Sequence, residues 1–269
     1  MSRAIDEVHA IVLAVLAGLL LPELLWPDAP LFRDLLTPEV MHPATAVVKL
    51  VLQISAAHAA FACASGFAAG DRTRRSWRWL GVGMAMMACG QLVLAWWQLV
   101  LRSPAPFPSL ADALFVPATL VLAAGLGDFA SAHARSGLDV GGRSLAWRTG
   151  GIATVLLVLV LVAPLHAVLD TPAPTLTRAV AVTYPLLDLL LLVPTIVVLR
   201  QTSHLRGGKL WRGWIAVLAG VLALAIGDLA FAYFSTLGLV SLDPLLDFAF
   251  ASGYLLVGWG ARIHRAALA

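Results

Sequence analysis

The chain has 269 residues, 60% of them hydrophobic and 12% charged, with a mean hydropathy of +0.89, against roughly 45–50% apolar and 25% charged in an ordinary soluble domain. A water-soluble core cannot absorb that surplus, so lipid must be the solvent and no separate soluble domain fits. The net charge of +3 and pI near 9.2 come from short basic clusters between apolar runs rather than from one continuous face, which argues against nucleic acid as a partner.

A hydrocarbon core about 30 Å thick needs on the order of 20 apolar residues per helical crossing. In chain order, the apolar runs predict crossings at about 8–26, 44–69, 79–101, 110–132, 150–169, 176–199, 213–236 and 244–263. The expected fold is all-α: one integral membrane domain over 1–269, a polytopic bundle of about eight transmembrane helices. The first run follows Arg3 as in a signal peptide, but Asp6 and Glu7 intervene and no small-x-small cleavage site follows, so it is read as a helix. Pro22 and Glu23 interrupt it, and its clean apolar stretch, 10–21, is short. A tilted or partly interfacial position is the alternative to a full crossing.

Lys and Arg in short loops set orientation, while acids count for little. With the N-terminus inside, one side of the membrane receives Arg3; Arg72, Arg74, Arg75 and Arg78; Arg135, Arg143 and Arg148; Arg200, Arg206, Lys209 and Arg212; and Arg262 and Arg265, which is 14 of the 18 basic residues. Arg33, Lys49, Arg102 and Arg178 fall on the other. Both termini are therefore expected in the cytoplasm.

A faint internal repeat runs through the same segments. Trp77 and Trp211 open comparable basic-to-apolar transitions, Gly90-Gln91 and Gly227-Asp228 sit mid-span, and Asp112 and Asp247 stand near the start of the next span, at offsets of 134, 137 and 135 residues. Two halves of like orientation, 1–135 and 136–269, are the expectation; chance similarity between Leu- and Ala-rich helices is the alternative.

Asp112, Asp188, Asp228 and Asp247 lie in or just within apolar spans. An ionised Asp at the centre of a membrane helix costs about 2.5–3.5 kcal/mol on insertion scales, so each must face the bundle interior, pair, or hold a proton. Gln53, His58, Gln91, Tyr184, Tyr233 and Tyr254 are expected in the same outer zone. Two explanations compete. The acids either accept hydrogen bonds that fix helix packing, a role suited to Asp112 and Asp247 in first turns, or line a polar pocket that opens outward and orients a ligand, with Asp188 and Asp228 the deeper pair. The ligand-binding set on the second reading is Asp188, Asp228, Asp112, Asp247, Tyr184, Tyr254, Gln91 and His58.

His58 is the one histidine expected mid-span; no second histidine stands at its depth, so a hydrogen-bonded core position is favoured over a haem or copper ligand. Cys63 and Cys89 both sit in apolar segments and read as small buried core residues rather than a disulfide. Gly66 and Gly70 have small-xxx-small spacing, which lets helices approach. Trp26, Trp77, Trp79, Trp147, Trp211 and Trp214 lie at predicted span ends, as in an interfacial aromatic belt. Trp96 and Trp97 are read as facing either a pocket or lipid. Pro185 and Pro194 interrupt the sixth span and free backbone groups near Asp188. No HExxH zinc motif, phosphate loop or nucleophile elbow is present in the sequence, so neither a catalytic residue nor a metal site is expected, and no cofactor is indicated.

The successive runs Phe107-Pro108-Ser109-Leu110-Ala111-Asp112, Thr183-Tyr184-Pro185-Leu186-Leu187-Asp188, Gly227-Asp228-Leu229-Ala230-Phe231-Ala232-Tyr233, and Leu242-Asp243 through Gly253-Tyr254-Leu255-Leu256 carry a resemblance. Over roughly 80–262 the chain resembles the multi-helix N-terminal sensory region of bacterial membrane-bound diguanylate cyclases and phosphodiesterases with GGDEF and EAL domains, and of some histidine kinases. The resemblance implies an input module in the bacterial cytoplasmic membrane that senses an unknown cue and passes it to a cytoplasmic output domain; a small-molecule ligand and a cytoplasmic signalling partner or homo-oligomer are the expected partners. Members of that family continue into a catalytic domain, whereas this chain stops shortly after Arg262-Ile263-His264-Arg265, so no cyclic-di-GMP chemistry carries over. A small proton-coupled transporter and a haem or pigment protein are the alternative readings.

Overall fold

The computed structural model describes residues 2–25, 29–31, 36–103, 105–134, 151, 155, 174–237 and 243–268. Among them are seven α-helices: α1 (Ser2–Leu25), α2 (Pro38–Ala64), α3 (Arg72–Leu99), α4 (Asp112–Ala134), α5 (Thr175–Gln201), α6 (Lys209–Leu237) and α7 (Asp243–Leu268). A short 3₁₀ turn, Ser203–Leu205, joins α5 to α6. The predicted span at 150–169 lies outside the described residues.

Local signals account for where several helices begin. Pro38 stands at the first position of α2, where a missing N–H costs nothing. Asp71 precedes α3 and accepts the Thr73 backbone N–H at 2.8 Å. Before α4, the Ser109 hydroxyl accepts the Ala111 N–H at 3.1 Å while the Asp112 carboxylate reaches back to the Ser109 N–H at 2.6 Å, a reciprocal cap of the capping-box type. Gly66 and Gly70 belong to the turn after α2, with Gly70 at φ +92°. Their spacing therefore does not form a stripe on one helix, though a Cβ at Gly66 would meet Leu268 of α7 at 3.2 Å.

Helices α2 to α6 are each long and apolar enough to cross a membrane, and the chain is a multi-pass membrane protein of helical type. Their outer faces present Val51, Ile54, Leu92, Leu190 and Ile226, all exposed, a surface that suits acyl chains and not water. Six helices close a ring: α2 packs on α3, α3 on α4, α4 on α5, α5 on α6, α6 on α7 and α7 back on α2. Helix α1 lies against α7, burying Leu16 and Leu20 with Ala251, Leu255 and Met41. Its start is tied down by Asp6, which accepts from Trp259 Nε1 at 3.0 Å and Arg212 Nη2 at 2.7 Å.

Small residues let the ring close tightly. A Cβ added at Gly83 would meet Leu122 of α4, and one at Gly90 would meet Phe115. On the other side, Gly220 abuts the Gly253 carbonyl oxygen and Val257 of α7, and Gly227 abuts Phe250.

At the end where α3 and α6 begin, the ring interior is filled. Trp77 and Trp214 are 1% and 2% exposed and stack with centroids 5.9 Å apart. Phe129 stands edge-on to Trp77 at 5.4 Å and to Trp214 at 4.8 Å, and His264 does the same at 5.2 and 5.8 Å. The sequence position of these two tryptophans suggested an interfacial belt; they form a plug instead, because they face the ring axis and not its rim. Cys63 is buried, whereas Cys89 is exposed on the outer face of α3 and is no core residue.

Candidate functional site

The other end of the ring is hollow. A cavity of about 370 Å³ lies where α2, α4, α5 and α7 start and α3 and α6 finish, within the roughly 300–1,000 Å³ typical of small-molecule pockets. Its floor includes Leu122, Leu191 and Leu224. Seven of the eight residues expected at a ligand site line it: Asp112, Asp188, Asp228, Asp247, Tyr184, Tyr254 and Gln91.

His58 is the exception: it is exposed and absent from the lining. Helix geometry supplies the reason. The buried stripe of α2 runs through Gln53, Ala56, Ala57, Ala60 and Cys63, and at about 100° per residue His58 points roughly opposite to Ala56. A ligand or haem role for it within the ring is thereby removed. Trp96 is likewise exposed, outside the lining, and the side chain of Tyr233 lies outside the described residues.

Two of the acids tie helices together. Asp247 of α7 accepts Thr45 Oγ1 and Lys49 Nζ of α2, each at 2.6 Å; the Lys49 and Asp247 side chains are 15% and 13% exposed. Asp112 of α4 accepts the Tyr184 hydroxyl of α5 at 2.5 Å beside its Ser109 bonds. Gln91 of α3 donates to the Ala46 carbonyl of α2 at 3.4 Å.

The deeper pair is different. Asp188 on α5, 5% exposed, lies against Asp228 on α6. Its Oδ2 is buried and accepts no hydrogen bond from the described residues. No salt bridge joins either carboxyl to a cation among the described residues. Tyr254 and Gln53 stand close by; Gln53 is fully buried and neither of its amide atoms makes a well-formed hydrogen bond. Around these polar groups, Phe107, Phe115, Phe231 and Phe250 supply aromatic walls, with the Phe107 and Phe231 rings 5.6 Å apart, edge to face.

Lys49, His42, Phe115 and Phe250 were not singled out from sequence as site residues, and Phe107, Phe231 and Asp243 entered only as members of the motif runs. Lys49 carried a usable signal, since an ammonium inside an apolar run is as costly as a carboxylate. Phe115 and Phe250 carried none, because nothing in a Leu- and Phe-rich helix marks the rings that face a hollow. Among the described residues, no group of three His, Cys, Asp or Glu side chains is arranged to hold a metal ion.

No family model, curated protein or solved structure matches the chain. The likeness to bacterial sensory regions therefore rests on the order of its short motifs alone.

Proposed function

We propose that this chain is a membrane-embedded sensory module that binds a small molecule in the cavity and relays its occupancy to a cytoplasmic partner or a second copy of itself. One observation carries the reading: seven of the eight residues chosen because polar groups are costly in lipid line one hollow, and the buried Oδ2 of its Asp188 carboxyl accepts no hydrogen bond from the described residues. Polar groups retained only to fix helix packing would be expected to satisfy one another, as Asp112 and Asp247 do.

The same reading takes the chain as eight crossings in two parallel halves of one domain, with α7 and the segment at 150–169 as crossings and both ends in the cytoplasm. Equivalent contacts support the halves. Lys49 to Asp247 and Tyr184 to Asp112 are the same contact with the halves exchanged, since both Lys49/Tyr184 and Asp112/Asp247 are 135 residues apart. Gly90 against Phe115 and Gly227 against Phe250 match likewise, and Trp77 pairs with Trp214 rather than with Trp211. Orientation in a bacterial cytoplasmic membrane is supported by the basic residues. Arg72, Arg74, Arg75, Arg200, Lys209, Arg212 and Arg265 all stand at the plugged end, at helix starts or finishes, which turns the cavity outward.

A proton-coupled carrier needs a path from the acids to the arginines, and the Trp77, Trp214, Phe129 and His264 plug stands across that path. The test is mass spectrometry of small molecules that co-purify with the full chain in mild detergent, repeated on Asp188→Asn and Asp228→Asn. A compound held by the wild type and lost from folded variants supports sensing. Variants that fold and keep the compound, or wild-type protein that holds none and responds to none, would remove it.

A further inference from the structure

The cavity's chemistry restricts its occupant, an inference that rests on the sensory reading. Five acids line the hollow, Asp112, Asp188, Asp228, Asp243 and Asp247, against Lys49 and His42 as the basic side chains. Lys49 is already engaged by Asp247, and Asp112 is held by neutral donors. Acids outnumber basic side chains, and the pair with no cation beside it is Asp188 and Asp228, so an anionic guest is disfavoured, and a neutral guest offers the Asp188 Oδ2 atom at best an uncharged donor, weaker than an ammonium. The walls are apolar and aromatic, which favours a guest with a hydrocarbon or aryl body over a bare ion.

We propose that the cavity binds a small organic amine as its cation, with the ammonium group seated between Asp188 and Asp228 and the apolar body against Phe107, Phe115, Phe231 and Phe250. An ammonium has three donors and no acceptor. Two can go to the carboxyl pair and the third to a tyrosine hydroxyl oxygen; the Tyr184 hydroxyl already donates to Asp112 and so has its lone pairs to offer. Aromatic faces around a desolvated cation add attraction of their own.

The experiment uses the full chain in lipid nanodiscs, with 2-phenylethylamine hydrochloride as probe, 2-phenylethanol as its uncharged isostere and sodium chloride as the inorganic cation. Binding is measured by equilibrium dialysis and thermal unfolding. The amine should bind and raise the unfolding midpoint while the alcohol and sodium do not. Asp188→Asn and Asp228→Asn should each weaken amine binding at least about tenfold, the factor expected from losing a hydrogen bond to a charged group.

Should either variant fail to fold, the wild-type contrast of amine with alcohol still decides. Equal binding of amine and alcohol, equal stabilisation by sodium, unchanged affinity in folded Asn variants, or no amine binding at millimolar concentration would each overturn the assignment. The sensory reading falls separately: a neutral or anionic compound co-purifying in the cavity would retain it while sinking the amine.

Discussion

The two ends of the helix ring solve opposite problems with the same six helices. At one end four rings interlock around the axis, with Trp77 and Trp214 at most 2% exposed. At the other, about 370 Å³ is left unfilled and carboxylates face inward. The contrast teaches that the plugged end holds the helices in place, so that the open end can afford separation and charge. Where lipid is as apolar as the core, hydrophobic burial contributes little to helix association, and packing density and polar contacts must supply it.

Breaking the plug should therefore have the largest effect. Trp77→Ala leaves a void that neighbouring Trp214, Phe129 and His264 cannot close without losing their edge contacts. By analogy with other core Trp and Phe truncations the loss is about 3–5 kcal/mol. Thermal unfolding of purified protein should show a larger drop than any cavity-end substitution produces. A drop smaller than that of the cavity-end variants would reverse the assignment of roles to the two ends.

The open end is held by its clasps, and the strongest is ionic. Lys49→Met strands Asp247 with only Thr45 as donor, and removing one partner of a mostly buried ion pair costs about 3 kcal/mol. Adding Asp247→Leu to Lys49→Met should recover most of that loss, because the stranded charge and not the missing attraction dominates. Unfolding midpoints of the single and double variants check this; a double variant as unstable as the single would mean that the clasp contributes shape rather than charge compensation.

Which acids line the cavity was more legible in the sequence than how the helices pair. The cost of placing a carboxylate in lipid depends only on residue type and depth, so Asp112, Asp188, Asp228 and Asp247 could be selected without knowing which helices touch. Facing direction was harder. His58 and Gln53 occupy the same span, yet one is exposed and the other wholly buried, and an Ala-rich helix has too little contrast between its faces to separate them. Trp77 and Trp214 were misassigned for the same reason: position along a span is readable, rotation about its axis is not. Ring closure depends on which helix pairs meet, information that lies in contacts such as Gly83 with Leu122 and Gly220 with Val257 rather than in any single helix.

Glycine contacts provide the finest probe of how far the cavity loosens the packing beside it. A Cβ at Gly220 would stand 2.7 Å from the Gly253 carbonyl oxygen, a backbone atom that moves only if α6 and α7 separate. A Cβ at Gly90 would stand 2.5 Å from the Phe115 ring, and that ring lines the cavity, so it has space to swing into. Gly220→Ala should cost about 1–3 kcal/mol as an overpacked core substitution. Gly90→Ala should cost less than about 1 kcal/mol, because the neighbour gives way. It should also shrink the cavity and weaken probe binding with little change in unfolding midpoint. Equal destabilisation by the two alanines would mean that Phe115 is as tightly wedged as the α6–α7 backbone, and the cavity would give its lining no freedom that a closed helix interface lacks.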